Sequence, residues 1–430
     1  MPYPYGTAIP HRSMPRLLLL LPTATYRAAA FVEAARRLSV DLTVASEQPS
    51  TFAQAQPDRL LTLDFRLPEQ AAAQARAFAE QVPVHGVVGV DDDTAVVAAA
   101  VAAKLRLRGN PVGAATAARD KYRQRVLLAE ARVPVPRFAR HRTTEDPHAV
   151  AAAARYPCVL KPLRLAASRG VIRADDPAGL VAAFGRLRAI LEQPDVARCG
   201  DWAGQVLVED FIPGPEVALE GLVTGGRLRT LALFDKPDPL DGPFFEETIY
   251  VTPSALPANA QQKIADCAQQ AVAALGLWEG PVHAELRYND RGPWLIELAA
   301  RPIGGRCSGA LRFGSREPGA GSSWVSLEEV VLRHALGMPL PALERERLAS
   351  GVMMIPVPRG GVLREVRGLA EARAVPLVEE VAITAHPGQT LVPWPEGSRY
   401  PGFIFARGET PEAVVAALRE AHRRLEFVLA

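Results

Sequence analysis

The chain is poor in lysine, in paired cysteines and in net charge, and each shortage narrows what it can be. Of its 49 basic residues only five are lysine: Lys104, Lys121, Lys161, Lys236 and Lys263. Against so strong an arginine preference, a retained lysine points to a place where a compact ammonium serves better than a planar fork. The four cysteines, Cys158, Cys199, Cys267 and Cys307, are far apart and form no CxxC pair. That spacing indicates neither a zinc site nor a disulfide framework, and it fits a cytoplasmic chain with reduced thiols. A net charge of +2, with acids and bases mixed along the chain, leaves no electrostatic footprint for nucleic acid or an anionic membrane. The apolar run Leu17–Leu21 is too short for a secretory-signal core and stops at Pro22; no run approaches the length of a membrane span. The common nucleotide and nucleophile motifs are missing as well, with no GxxxxGK(S/T), GxGxxG, GxSxG or HExxH.

What is present is a chain of 430 residues, long enough for two to four domains. Residues 1–15 read as a loose Pro- and Tyr-rich tail, within which Met14 offers a second start. From Arg16 the pattern alternates. Arg16–Leu21, Val40–Ala45, Arg59–Leu63 and Val84–Val90 read as buried strands, and Tyr26–Leu38, Gln70–Gln81 and Thr94–Leu105 as helices. Strands and helices alternating at this spacing predict a doubly wound parallel sheet. The acids Asp91, Asp92 and Asp93 follow a strand's end, where such sheets bind ligands; helix capping by Asp93 or Thr94 explains them equally well. Further on, Arg119–Arg132 reads as a helix, and Tyr156–Leu160 with Val206–Glu209 as an antiparallel unit. Hairpins are expected at Gly225-Gly226 and Asn289–Gly292, and a helix over Ala260–Leu275. Ser326–Glu329 reads as a capping box, and Thr410 with Pro411 as the start of a last helix.

The chemistry lies in an ordered set of lysines and glutamates. Asp120-Lys121 opens a helix with Arg125. Lys161 ends the strand of VLKP and is followed by the small turn Ser168-Arg169-Gly170. Glu209 and Glu216 bracket VEDFIPGPE, Asp235-Lys236 precedes Pro243–Glu247, and His283-Ala284-Glu285 precedes Glu297–Gly305. Lysines at strand and helix ends can hold phosphate oxygens as point charges, and a Gly/Ser turn lets backbone N–H groups approach them. Glu209 with Phe211 and Ile212 suits an adenine, and Glu216 can accept from ribose hydroxyls. Glu285 and Glu297, facing each other across a hairpin, can share Mg²⁺ on the phosphates. Singly, each is more often a solvated surface charge; their order makes the nucleotide site.

The set resembles the ATP-grasp superfamily and, within it, the L-amino-acid ligase (carboxylate–amine ligase, dipeptide-forming) branch. The motifs that carry the resemblance are VLKPLRLAASRGV, VEDFIPGPE, HAELRYNDRGPWLIELAARPIGG, ALRF followed by SLEE, and FARGETPE. It implies an α/β ATP-grasp fold with an N-terminal Rossmann-like domain (16–118), an ATP-grasp domain (119–348) carrying a lid subdomain at about 155–222, and a mixed α+β C-terminal ligase domain (349–430). It also implies ATP with one or two Mg²⁺ ions, Mn²⁺ substituting, and amino acids or a related carboxylate and amine as substrates. A homodimer is common among resembling proteins.

By that resemblance Lys121 and Lys161 contact phosphates together with the turn at Ser168 and Gly170. Glu209 with Phe211 and Ile212 holds adenine, Glu216 holds ribose, and Glu285 and Glu297 ligate the metal. Arg301 holds the reacting carboxylate, then the acyl phosphate, and works with Lys161 and Glu297 as the catalytic set. Glu247 takes the amino group of the activated substrate, and Lys236 is a further substrate-binding residue. Apart from the resemblance, Gly304-Gly305 leaves room beside Arg301 and its N–H groups can hold the carboxylate of the second substrate, a tight turn being the equal alternative. Two departures from the pattern matter: Ala299 stands where Asn is frequent, and Tyr250 where His is frequent. Arg316–Ser323 reads as an inserted lid, and His283 as a candidate base. A ligase or carboxylase acting on bicarbonate or a non-amino-acid carboxylate, a kinase and a non-catalytic nucleotide sensor remain the alternatives.

Overall fold

A computed structural model describes residues 14–314 and 324–430. The stretches expected to form the N-terminal tail and the inserted lid fall almost wholly outside the described residues.

The first sheet is parallel, with strands in the order Leu60–Thr62, Asp41–Ser46, Arg16–Leu20, Gly86–Gly89. Its period is legible in burial. Leu17 and Leu19 pack into one hydrophobic core, while Leu18 and Leu20 pack into another on the opposite face, and all four are 0% exposed. A strand covered on both sides must be apolar at every position, which is why this run does not alternate. Helices Ala28–Arg37, Pro68–Ala79 and Asp92–Leu105 supply the covering layers. The last begins differently from expectation. Its cap is Asp91, not Asp93 or Thr94: the Asp91 carboxylate accepts the N–H groups of Asp93 and Thr94, and the Thr94 hydroxyl accepts the Asp91 N–H. The extended backbone of Asp91 sets that choice, because only a residue outside the helix can turn its side chain back onto the first free N–H groups.

The helix expected over Arg119–Arg132 is shorter and preceded by another. Val112–Arg119 ends at Asp120, whose extended backbone and side chain (accepting the Arg123 N–H) start Lys121–Glu130. Lys121 is thereby placed at a helix's first position. At Ser326 only half of the expected capping box forms: its hydroxyl accepts the Glu329 N–H, while the Glu329 carboxylate turns to Arg37 and Arg333.

The central sheet has eight strands, in the order Gly292–Ala299, Glu279–Asn289, Glu216–Thr224, Arg227–Asp235, Ile249–Thr252, Ala349–Met354, Gly402–Gly408, Val378–Ile383. Both expected hairpins are in it. Its edge strand Gly292–Ala299 is covered by the buried Gln124, whose amide donates to the Leu298 carbonyl and accepts the Leu298 N–H. An edge strand otherwise presents unpaired backbone groups, so this contact also fixes the neighbouring Glu297. A smaller antiparallel sheet, Phe138–Arg142, Gln205–Asp210, Cys158–Pro162 and Ile172–Ala174, is backed by Pro177–Leu191. A three-stranded sheet and helix Pro411–Arg423, capped by Thr410 as expected, complete the C-terminal part.

Candidate active site

A cavity of about 310 Å³ opens where the first sheet, the central sheet and the small sheet meet. From the first sheet come Ala24–Arg27, Asp91 and Asp92, just beyond strand ends. From the small sheet come Lys161, the loop Leu165–Ser168, and Glu209–Ile212. From the central sheet come Glu216, Glu247, Tyr250, His283, Glu285, Arg287, Glu297 and Arg301. Residues scattered over almost the whole chain thus share one chamber.

Charges inside it are paired in three groups. The deepest is Glu209, 1% exposed, whose two oxygens meet Arg125 Nε at 2.5 Å and Lys161 Nζ at 2.7 Å. Burial alone would raise this carboxyl's pKa, but the two cations hold it at about 2. A second pair joins Lys121 Nζ to Glu297 Oε1 at 2.9 Å, and the same ammonium donates to the Leu165 carbonyl at 3.0 Å. The third group surrounds Lys236, whose Nζ meets Glu216 at 2.7 Å, Glu247 at 2.6 Å and Glu285 at 3.0 Å. Burial opposes the charge on Lys236, yet three carboxylates raise its pKa well above the usual lysine value. Glu247 goes the other way: burial lifts it to about 7 despite Lys236, and its Oε1 also accepts from the Tyr250 hydroxyl at 2.6 Å.

Glu285 and Glu297 are direct partners across the hairpin, as expected, with a bulge just after Glu285. A divalent metal with a preference for oxygen fits this pair: Lys236 and Lys121 each approach one oxygen, Oε1, which leaves the Oε2 atoms to a hard cation. Glu216, Glu247 and Glu285 also converge, with carboxylate oxygens within 4.8 Å of one another, but the ammonium of Lys236 already fills that position.

The loop after Lys161 is unusual in its backbone. Ala167 and Ser168 both have φ of 54°, a left-handed conformation that costs a residue with a side chain and is kept only where surroundings enforce it. Here the Trp394 indole donates to the Ala167 carbonyl at 2.7 Å, and the Gly170 N–H donates to the Pro395 carbonyl at 2.8 Å.

Of the expected site residues, Lys121, Lys161, Ser168, Glu209, Phe211, Ile212, Glu216, Glu247, Glu285, Glu297, Arg301, Gly304 and Gly305 all line the cavity. Two expectations need correction. Gly170 does not line it, and its N–H is already spent on Pro395. Lys236 lies behind the wall, 8% exposed, where it neutralises acids. Several partners escaped sequence reasoning. Asp92 accepts from Arg301 Nη2 at 2.8 Å. Arg287 binds Glu216 at 2.9 Å and, with Arg173, stacks on Phe211. Arg125 holds Glu209, and Arg27 enters from the first sheet. Asp92 carried a signal, as an acid just past a strand's end, and so did Arg125, on the helix that Asp120-Lys121 opens.

Three family profiles match the chain: an ATP-grasp N-terminal domain over residues 32–109, an ATP-grasp domain over 154–310, and an L-amino acid ligase C-terminal domain 2 over 353–430. The alanine–anticapsin ligase of Bacillus subtilis is 32% identical over 214 residues, covering 47% of this chain and 45% of that protein. The match thus spans about half the length of that relative. A D-alanine–D-alanine ligase of Methylibium petroleiphilum is 30% identical over 234 residues, covering 51% of this chain and 68% of that one. The crystal structure of an L-amino acid ligase from Bacillus licheniformis superimposes with a TM-score of 0.79 at 27% identity, over 97% of this chain and 99% of that one. Among the described residues no helix is long and apolar enough to cross a membrane.

Proposed function

The chain belongs to the ATP-grasp family, and on that premise we propose that it is an ATP-dependent carboxylate–amine ligase that joins two amino acids. The reading is supported above all by one observation: a phosphate-type wall (Lys121, Lys161, Glu285, Glu297) and an amino-acid-type wall (Glu247, Tyr250, Arg301, Gly304) face the same cavity.

In this reading Lys121 and Lys161 take phosphate oxygens, and the strand-to-loop segment Glu209–Ile212 receives the adenine. Glu209 acts there indirectly, since Arg125 and Lys161 occupy its carboxylate; it sets Lys161 in place and leaves the base edge to backbone groups. Glu216, held by Arg287 and Lys236, faces the ribose. Mg²⁺ on Glu285 and Glu297 would neutralise charge on the transferred phosphoryl group.

Arg301 orients the substrate carboxylate. Glu247 receives the ammonium of the same substrate through its Oε2, because Oε1 is already shared by Lys236 and Tyr250. A carboxylate oxygen forms a bond to the γ-phosphorus of ATP as the bond to the β-bridging oxygen breaks, giving ADP and an acyl phosphate. The nitrogen of the second amino acid then bonds to the acyl carbon, phosphate leaves, and the amine gives up a proton. The protein's work is positioning and charge stabilisation. The strands Cys158–Pro162, Ile172–Ala174 and Gln205–Asp210 of the smaller sheet and the helix behind them, within the proposed lid at about 155–222, would exclude water from the acyl phosphate. The parts 16–118, 119–348 and 349–430 are the proposed domains, in a cytoplasmic protein.

The test is incubation with ATP, Mg²⁺ and a matrix of amino-acid pairs, following phosphate release and product mass. Phosphate that rises only with particular pairs, with a product of both masses less one water, supports the reading. A phosphorylated product without free phosphate would turn it into a kinase. Turnover only with other carboxylates or bicarbonate would move the substrate class.

A further inference from the structure

Arg27 precedes helix Ala28–Arg37 and reaches the cavity from the first sheet. Its Nη2 donates to the Pro302 carbonyl at 3.0 Å and to the Ile303 carbonyl, so the guanidinium is held in place by backbone alone. Among the described residues no ion pair reaches it. Three acids act on it through space, Asp91, Glu220 and Glu328, and each is engaged elsewhere. Asp91 caps its helix, Glu220 accepts the Ile303 N–H at 3.0 Å, and Glu328 accepts from the Ser308 hydroxyl at 2.5 Å. Burial and the nearby Arg301 both press the pKa of Arg27 below the usual arginine value.

Arg27 is only partly buried, and its open side is the cavity. A guanidinium that lines a cavity without an ion pair keeps donors in a fixed fork that suit an entering carboxylate. A Cβ at Gly304 would lie 3.7 Å from Arg27 Nη2, so nothing larger than a hydrogen stands between them. The N–H groups of Gly304 and Gly305 donate to no backbone carbonyl among the described residues. The activated substrate already has Arg301 for its carboxylate and Glu247 for its ammonium. The carboxylate of the second substrate is the anion still without a partner.

We infer that Arg27, beside the N–H groups of Gly304 and Gly305, is the specificity-determining residue that binds the α-carboxylate of the amine-donating substrate. The inference rests on the ligase reading above.

The test uses the full chain with ATP, Mg²⁺ and a fixed activated amino acid, supplying the amine in turn as each of the twenty amino acids and as the corresponding amide. The unaltered protein should favour the free acid about tenfold or more in kcat/KM, the size expected for one hydrogen bond to a charged group. Arg27→Gln keeps a donor for the two carbonyls and drops the charge. It should raise KM for the free acid about tenfold while leaving KM for the amide, for ATP and for the activated acid within about twofold. Arg27→Lys should recover part of the preference, which separates lost charge from lost folding. Equal turnover of acid and amide by the unaltered protein overturns the inference and leaves the ligase reading standing. So does an Arg27→Gln defect that falls equally on ATP or the activated acid. Absence of any amine-dependent phosphate release removes the ligase reading, and the inference with it.

Discussion

Arg301 donates through Nη2 to Asp92 Oδ2 at 2.8 Å although the two residues stand 209 positions apart. The pair links the end of a parallel strand in the first sheet to the segment after the central hairpin. Burial alone would lower the pKa of Arg301, but Asp92 more than offsets that. A guanidinium pinned on one side presents its remaining donors in one direction, which suits a planar carboxylate.

Asp92→Asn should therefore act on the carboxylate substrate. The helix start survives, because Asp91 is the cap. Steady-state phosphate release should show kcat/KM for the activated acid falling roughly 10- to 100-fold, as for a lost charge-assisted hydrogen bond, with ATP affinity unchanged. Weakened ATP binding of the same size would mean that Asp92 serves the nucleotide instead.

Glu209 makes an acid-stability prediction. Its pKa of about 2 lies below the unfolded carboxyl value, so its stabilisation is complete above about pH 4.5 and is lost as pH falls from there toward 2. On the order of 3 kcal/mol is at stake. Denaturant midpoints of the wild type should drop across that window. Glu209→Gln, which leaves Arg125 and Lys161 without their anion, should be less stable at neutral pH by roughly 3–5 kcal/mol and show a flatter profile between pH 5 and 2.

Chelation of divalent cations should abolish phosphate release, with Mg²⁺ restoring it. Glu297→Gln should lower turnover at least about 100-fold, since one metal carboxylate is gone and Lys121 loses its partner. Full activity in the variant would remove Glu297 from the metal site.

Trp394→Phe keeps the ring and deletes the donor to the Ala167 carbonyl. With about 1 kcal/mol less to hold two left-handed residues, ATP should bind roughly fivefold more weakly. Amides in 165–171 should exchange faster in deuterium, while the amino-acid KM stays put. An exchange pattern identical to wild type would show that the loop holds its shape without the indole.

Local chemistry was readable wherever one segment decides the outcome. The leucines of 17–20 announce a strand buried on both faces, and Gly225-Gly226 and Asn289–Gly292 announce hairpins that the structure contains. The hairpin also brings Glu285 close to Glu297, but their direct pairing needs the bulge just after Glu285, since the unbroken register from the turn would set Glu285 opposite Ile296. Boundaries and caps were less legible. Asp120 opens a helix as expected, yet the helix is Lys121–Glu130 and not Arg119–Arg132, and which of three acids caps Asp92–Leu105 depends on the backbone angle of Asp91. Lys236 was misplaced because a lysine's position beside an acidic run does not tell which side of a sheet its ammonium reaches.

From sequence alone came the alternation of strands and helices, the order of lysines and glutamates, and the resemblance built on them, because periodicity and motif spacing are properties of neighbours along the chain. Tertiary structure alone decided which charges meet. Asp92 finds Arg301, Arg125 finds Glu209, Trp394 holds Ala167, and Arg27 reaches the cavity beside Gly304, since each depends on how the sheets pack around one cavity, a distance no local pattern records.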